Sequence, residues 1–235
     1  MTRRHHGRRV AGLLLSATLL LARPGDAAPL AVQLHTSDGI GLAAALYDVP
    51  DAPAVVLVPM YTRTKDDWRA FAERLQAAGI ASLAIDLRGH GGSAGPSGPS
   101  PSMALDVRAA VDFLAARSGV RAVGIVGASL GANVALLAAA EATLVRGVAL
   151  ISPASDYRGV RIDAAVRKYG ARPMYLVAST EDPLAARTVR GLVAEGLPSR
   201  EQRLSLVTAH GTLVLERDPD VAAALVDWLR RTLLS

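Results

Sequence analysis

The residues in this sequence that are best suited to chemistry centre on Ser129. Gly127 to Gly131 read Gly-Ala-Ser-Leu-Gly, directly after an apolar strand-like run and directly before a helical stretch. A sharp turn at such a junction raises the serine hydroxyl above the sheet, and flanking glycines remove side chains that would collide with the neighbouring backbone. The spacing therefore predicts that Ser129 is a nucleophile, with a plain helix cap as the alternative role.

A serine nucleophile needs a base within hydrogen-bond reach and an acid that orients the base. His210 and Asp182 each follow a late strand-like run of the chain. Because the carboxyl ends of parallel strands meet at one edge of a sheet, we expect both side chains to lie near Ser129. Glu181 is the alternative orienting acid, and a solvated loop position is the alternative for His210. The sequence contains no cysteine, which excludes a thiolate nucleophile, a zinc–thiolate site and a disulfide.

The elements that must position these residues alternate along the chain. Strand-like runs at 32–36 and 40–49 predict the first two strands. Uninterrupted apolar runs of strand length predict further strands at 54–58, 80–85, 122–126, 145–151, 174–178 and 204–207. Helical patterns with capping and stop signals predict helices at 64–78, 100–118, 130–140, 184–194 and 219–234. The sequence therefore predicts an α/β fold with a mainly parallel sheet of about eight strands and helices on both faces. An antiparallel hairpin at its start is expected to turn at Asp38-Gly39.

A second motif, at residues 86–93, reads Asp-Leu-Arg-Gly-His-Gly-Gly-Ser and is similar to a stretch frequent after the fourth strand in the α/β-hydrolase superfamily. Together with the turn at Ser129 and the chain order Ser, Asp, His, it makes residues 30–235 resemble that superfamily, its carboxylesterases and dienelactone hydrolases in particular. The resemblance implies a serine hydrolase that cleaves carboxylic esters through an acyl-enzyme intermediate, with no metal or other cofactor. Asp86, Arg88 and His90 are expected to hold their loop together.

The resemblance also implies an oxyanion hole made of two backbone N–H groups. One belongs to Leu130, which follows the nucleophile. The other lies in the loop after strand 54–58, where alignment gives Tyr61. Met60 stands where many members have glycine, so the Met60 N–H is the alternative donor. Only about 20 residues separate the strands that end at 151 and begin at 174, so we expect little or no cap domain, at most one short covering helix, and small or accessible acyl substrates.

Residues 1–27 have the layout of a secretory signal peptide, which leaves 28–235 as the hydrolase domain. Four arginines precede an apolar run of 13 residues, shorter than the ~20 residues of a spanning helix. Without this segment the formal net charge falls from +5 to +1, so we expect no nucleic-acid partner. The predicted location is secreted or periplasmic with no stable membrane span after processing; the alternative is membrane anchoring by an uncleaved signal.

Rival functions start from the same residues. Glycines at a strand–helix turn also occur in phosphate-binding loops, so a nucleotide-binding α/β protein is one alternative. A hydrolase fold kept as a catalytically silent binding module is another. Among hydrolases, a lipase, thioesterase or peptidase would use the same side chains. The expected partner is a small-molecule acyl ester.

Overall fold

The computed structural model describes residues 28–234, which are built around an eight-stranded sheet. Its strands are β1 (Leu30–His35), β2 (Gly41–Tyr47), β3 (Ala54–Val58), β4 (Ala81–Ile85), β5 (Val123–Ala128), β6 (Val145–Ile151), β9 (Met174–Ser179) and β10 (Arg200–Ser205). The remaining strands, β7 (Asp156–Tyr157) and β8 (Val160–Arg161), form a separate antiparallel ribbon. The order across the sheet is β1-β2-β4-β3-β5-β6-β9-β10. Within it, β2 runs antiparallel to both neighbours and every other pair is parallel.

Helices cover both faces of this sheet. They are α1 (Arg69–Ala77), α2 (Ala104–Ala115), α3 (Leu130–Glu141), α4 (Asp163–Tyr169), α5 (Pro183–Ala194), α6 (Thr212–Arg217) and α7 (Pro219–Leu234). Helices α2 to α5 pack on one face and α1, α6 and α7 on the other. All residues of β3, β4 and β5 are buried. This two-sided burial explains why the central strands are continuous apolar runs.

The predicted fold class is confirmed, including the N-terminal hairpin. That hairpin turns where Gly39 adopts a φ of 84°, a left-handed conformation that glycine reaches without a Cβ penalty. Strands β3 and β6 and helix α7 have the predicted bounds.

Several elements differ from the sequence-based prediction. The last strand was predicted at 204–207, whereas the structure has it at Arg200–Ser205 (β10). The prediction failed because this edge strand is mostly polar and the apolar run extends into the loop beyond it. Helices α1 and α2 begin later than predicted, each after a short 3₁₀ turn, at Lys65–Trp68 and Pro101–Met103. The ribbon, α4 and α6 were not predicted because they are too short to carry a periodic pattern.

The segment between β6 and β9 contains the ribbon and one seven-residue helix, α4. No helix within residues 28–234 has the length and apolar character needed to cross a membrane. The predicted signal peptide, residues 1–27, lies outside the described residues.

Candidate active site

Ser129 sits at the turn between β5 and α3 in a backbone conformation that serine rarely adopts. Its φ is 53° and its ψ is −121°, a strain of about 1–3 kcal/mol that surrounding contacts must offset. The Ser129 N–H donates to the Ile151 carbonyl at the end of β6 (2.8 Å), and the Ser129 carbonyl accepts from the Ala132 N–H (2.9 Å). These bonds fix the turn at the carboxyl edge of the sheet.

Close backbone approaches require glycine on both sides of Ser129. A Cβ at Gly127 would lie 2.2 Å from the Gly131 carbonyl oxygen. A Cβ at Gly131 would lie 2.3 Å from the Pro59 oxygen and 2.4 Å from the Val58 oxygen. The start of α3 therefore touches the end of β3, which brings the loop after β3 beside Ser129.

Ser129, His210 and Asp182 form one chain of side-chain hydrogen bonds. His210 Nε2 lies 2.8 Å from Ser129 Oγ, and His210 Nδ1 lies 2.6 Å from Asp182 Oδ2. When Nδ1–H donates to the carboxylate, Nε2 is left free to accept the serine proton. The structure thus brings together, from the loops after β5, β9 and β10, the three side chains selected from the sequence.

Each carboxylate oxygen of Asp182 has its own partner. Oδ2 holds His210, while Oδ1 accepts from the Ala185 N–H (3.2 Å) and caps helix α5. The alternative acid, Glu181, is exposed, and its N–H donates to Ser179 Oγ (3.0 Å). Among the described residues, the carboxylate bonded to His210 is that of Asp182.

Ser152, which sequence reasoning missed, fixes the loop that carries His210. It follows β6, is 2% exposed and has a φ of 49°. Its N–H donates to the Val177 carbonyl (2.8 Å), and its Oγ accepts from the Gly211 N–H (3.0 Å). A Cβ at Gly211 would lie 2.1 Å from Met60 Sδ. Glycine at this position therefore lets the histidine loop pack closely against Met60.

Comparison with protein families decides what the chain is related to. Residues 50–168 match the family model described as serine aminopeptidase, S33. The chain belongs to this α/β-hydrolase family. The match runs from the approach to β3 into α4, so it contains Ser129 but neither Asp182 nor His210. No curated protein matches the sequence significantly.

Solved structures with the same fold include several hydrolases. The esterase Pf2001 of Pyrococcus furiosus superposes with a TM-score of 0.75 at 18% identity, covering 97% of this chain and 100% of that chain. The α/β hydrolase GrgF from a Penicillium species superposes with a TM-score of 0.74 at 16% identity, covering 88% of this chain and 99% of that chain. The dienelactone hydrolase of Anabaena variabilis superposes with a TM-score of 0.67 at 20% identity, covering 87% of this chain and 98% of that chain. At these identities the likeness shows the fold, and the predicted α/β-hydrolase fold is confirmed.

The candidate oxyanion donors are the backbone N–H groups of Leu130, Met60 and Tyr61. Leu130 begins α3, where the first N–H groups have no carbonyl partner within the helix. In the loop after β3, the Arg63 N–H donates to the Met60 carbonyl (3.2 Å) and closes a tight turn. Within residues 28–234, no backbone hydrogen bond occupies the N–H of Leu130, Met60 or Tyr61. Both loop amides thus stay candidates for the second oxyanion donor.

The motif after β4 forms a buried ionic network. Asp86 accepts from Lys65 Nζ (2.8 Å). Arg88, 4% exposed, donates through Nε to Asp106 (2.8 Å) and through both terminal nitrogens to Asp38 (2.7 and 3.1 Å). The hydrogen bond from Arg88 lowers the pKa of Asp38 to about 2, whereas burial raises the pKa of Asp106. The network joins the N-terminal hairpin, the β4 loop and α2.

Asn133 anchors the β7–β8 ribbon beside the site. Its amide donates to the carbonyls of Ala154 (2.9 Å) and Val160 (2.8 Å) and accepts from the Ala154 N–H (3.1 Å). The ribbon in turn places Tyr157 against Tyr61 in an edge-to-face contact, with ring centroids 6.3 Å apart. Sequence reasoning missed Asn133, although a lone amide in an otherwise apolar helical stretch is a signal that could have identified it.

Within residues 28–234, no cluster of three or more His, Cys, Asp or Glu side chains is placed to hold a metal ion.

Proposed function

We propose that this hydrolase is a serine esterase that cleaves carboxylic esters through an acyl-enzyme intermediate. The observation that carries the proposal is the hydrogen-bonded chain from Asp182 through His210 to Ser129 on a strained turn. A strained backbone held by several bonds is typical of a functional position. A helix cap would not need this geometry, and the Ser129 side chain makes no capping bond to α3.

In the first half of the proposed reaction, Ser129 Oγ attacks the ester carbonyl carbon while His210 Nε2 takes the hydroxyl proton. The tetrahedral oxyanion accepts hydrogen bonds from the N–H of Leu130 and from that of Tyr61, or of Met60 in the alternative assignment. Collapse breaks the carbon–alkoxy bond, and the leaving alcohol takes the proton from His210. Asp182 keeps the imidazole in its tautomer and stabilises its charged form.

In the second half, water attacks the acyl-Ser129 carbonyl and transfers a proton to His210. Collapse of this second intermediate returns the proton to Ser129 Oγ and releases the carboxylic acid. The His210 side chain is 51% exposed, and the one helix between β6 and β9 is short. This openness supports small or accessible acyl groups over long buried chains.

The nucleotide-binding alternative is disfavoured by the backbone around the turn. The Ser129 N–H, which a phosphate loop would offer to its ligand, donates to Ile151. The spaces beside Gly127 and Gly131 are filled by carbonyl oxygens. Backbone already fills the space beside these glycines, so this turn suits a nucleophile better than a glycine-rich loop that wraps a phosphate group.

The test of the proposed function is a substrate panel on wild type and Ser129→Ala. The panel holds p-nitrophenyl esters of increasing chain length, an acyl thioester and amino-acid p-nitroanilides. We expect turnover to be highest on short esters and to fall at least 10³-fold in Ser129→Ala. Turnover confined to the p-nitroanilides would instead assign a peptidase activity, in line with the serine aminopeptidases after which the family is described. Turnover on no member would favour a silent binding module.

We also propose that residues 1–27 export this enzyme to the periplasm or the exterior. Fractionation of the native host, followed by N-terminal sequencing of the enzyme, tests this. Export predicts a mature terminus near residue 28, and the unprocessed chain in the cytosol would contradict it.

A further inference from the structure

A cationic side chain that the proposed mechanism does not use lies next to Tyr61. Arg158 lies at the tip of the β7–β8 ribbon and is exposed. Its guanidinium lies over the Tyr61 ring, 5.7 Å from the centroid. Within residues 28–234, Arg158 forms no ion pair. The nearby Arg161 differs, because its guanidinium is paired with Asp163 (2.8 Å).

The backbone at the ribbon tip favours residues other than arginine. Arg158 has a φ of 48° and is followed by Gly159 with a φ of 92°. Two consecutive left-handed residues form the hairpin turn for which Asn-Gly is the preferred pair. Arginine in this conformation costs about 1–2 kcal/mol relative to glycine. Its presence is therefore better explained by what the side chain binds than by the turn.

The ribbon that carries Arg158 is bonded to α3, the helix that begins directly after Ser129. Asn133, one helical turn after Ser129, bonds Ala154 in the segment before β7 and Val160 at the start of β8. The Asp156 carboxylate accepts from the Gly159 N–H (2.7 Å) and closes the tip. This bond rigidifies the turn and occupies the acidic side chain closest in sequence to Arg158.

The guanidinium and the proposed oxyanion hole share Tyr61. Its backbone N–H is a candidate oxyanion donor, and its ring lies under Arg158. The ring also makes edge-to-face contacts with Tyr157 (6.3 Å) and His90 (5.4 Å). A substrate whose ester carbonyl sits in the oxyanion hole thus has an aromatic wall next to it and an unpaired guanidinium beyond that wall.

We propose that Arg158 is a specificity-determining residue that binds a carboxylate carried by the ester substrate, a few bonds from the ester group. The guanidinium matches a carboxylate in shape and charge and can donate two parallel hydrogen bonds. The Tyr61 and Tyr157 rings would contact the hydrocarbon linker between carboxylate and ester. This inference rests on the proposed esterase function and adds the class of substrate, a half-ester of a dicarboxylic acid or an ester of a hydroxy acid.

The test compares matched anionic and neutral esters. On the acyl side the pair is monoethyl adipate and ethyl hexanoate. On the alcohol side it is 4-acetoxybutanoate and butyl acetate. The ratio of kcat/KM between variant and wild type is measured for each ester, which cancels differences in intrinsic reactivity. The variants are Arg158→Gln, the conservative Arg158→Lys, and Arg161→Gln as a control that removes an equal charge from the same ribbon.

We expect Arg158→Gln to lower kcat/KM about fivefold to tenfold for the anionic ester of at least one pair and less than twofold for its neutral partner. Arg158→Lys should recover part of the loss, and Arg161→Gln should change neither ester more than twofold. Added salt should weaken the preference of the wild type, because an exposed ion pair is screened. The pair that responds shows which half of the ester carries the carboxylate.

Equal losses on anionic and neutral esters, or equal losses in the Arg158 and Arg161 variants, would overturn the inference. In either case Ser129-dependent hydrolysis of ethyl hexanoate would leave the proposed function standing. A wild type that hydrolyses p-nitrophenyl esters but none of these four esters would overturn the inference alone, whereas a wild type that hydrolyses no ester at all would overturn the proposed function as well.

Discussion

Adding one methyl group at Gly131 tests how the proposed oxyanion hole is assembled. The new Cβ would lie 2.3 Å from the Pro59 carbonyl oxygen, whereas real Cβ contacts essentially never fall below 3.0 Å. The end of β3 and the start of α3 must therefore separate by about 0.7 Å or more. Gly131 is helical and has no positive φ, so any loss of activity reports the contact rather than backbone strain.

The two proposed oxyanion donors sit on opposite sides of this contact. Leu130 belongs to α3, and Tyr61 to the loop after β3. Separating the two elements moves the donors apart, and losing one donor typically lowers kcat about 10²- to 10³-fold. Overpacking of this kind typically costs about 1–3 kcal/mol of unfolding free energy. Gly131→Ala is therefore expected to lose activity of this order while still folding.

The assay combines p-nitrophenyl acetate kinetics with guanidinium unfolding. The matched control is Gly191→Ala, because Gly191 lies in α5 and an added Cβ there would meet nothing within 4 Å beyond its own chain neighbours and helix backbone. The control should keep wild-type kcat, and its unfolding free energy should rise by up to about 1 kcal/mol. A Gly131→Ala enzyme that keeps kcat within threefold of wild type would refute the proposed role of this contact.

Three further predictions concern the residues around the site. Ser152→Ala removes the acceptor for the Gly211 N–H and should lower kcat about tenfold with KM nearly unchanged; an altered KM with normal kcat would contradict a positioning role. Asp182→Asn should lower kcat about 10⁴-fold, since the tautomer of the histidine is no longer fixed, while an equilibrium unfolding curve stays close to wild type because Asn also caps helices; near-normal turnover would exclude this acid. Asp38→Asn should destabilise the protein above pH 4. The lowered pKa of Asp38, about 2 in the folded state, means that its stabilisation is complete above the ordinary value of 3.8 and is lost as the pH falls toward 2. Urea unfolding of both proteins across this range should show converging stabilities, and a constant difference would be inconsistent with the ion pair to Arg88.

The buried elements of the fold were predictable because each satisfies a local rule. Helices cover both faces of the sheet at β3 and β6. Hydropathy alone therefore identifies these two segments as strands. Helix α7 begins after Asp218, whose Oδ1 accepts from the Val221 N–H (3.2 Å) as the cap motif predicts.

The last strand shows where hydropathy fails. The apolar residue Leu206, which the prediction placed inside the strand, is 83% exposed. The observed β10 instead uses the polar stretch from Arg200 to Ser205, paired with β9 along one side. An edge strand at the end of a sheet buries little surface, so its side-chain pattern does not predict its backbone pairing.

The site was predictable to the extent that it depends on chain order. Ser129, Asp182 and His210 each follow a strand of the parallel sheet, and parallel strands end at one edge. Ser152 and Asn133 act through bonds to residues distant in the sequence, Gly211 and the ribbon, so their partners follow only from the fold.

The central claim is that Ser129 is a nucleophile activated by His210. Intact-mass measurement after incubation with a fluorophosphonate tests it most directly, with the modified residue located by peptide mass spectrometry. The account predicts one covalent adduct on Ser129 of the wild type, no adduct on Ser129→Ala, and much slower labelling of His210→Ala. A wild type that stays unlabelled, or a Ser129→Ala variant that labels equally well, would contradict it.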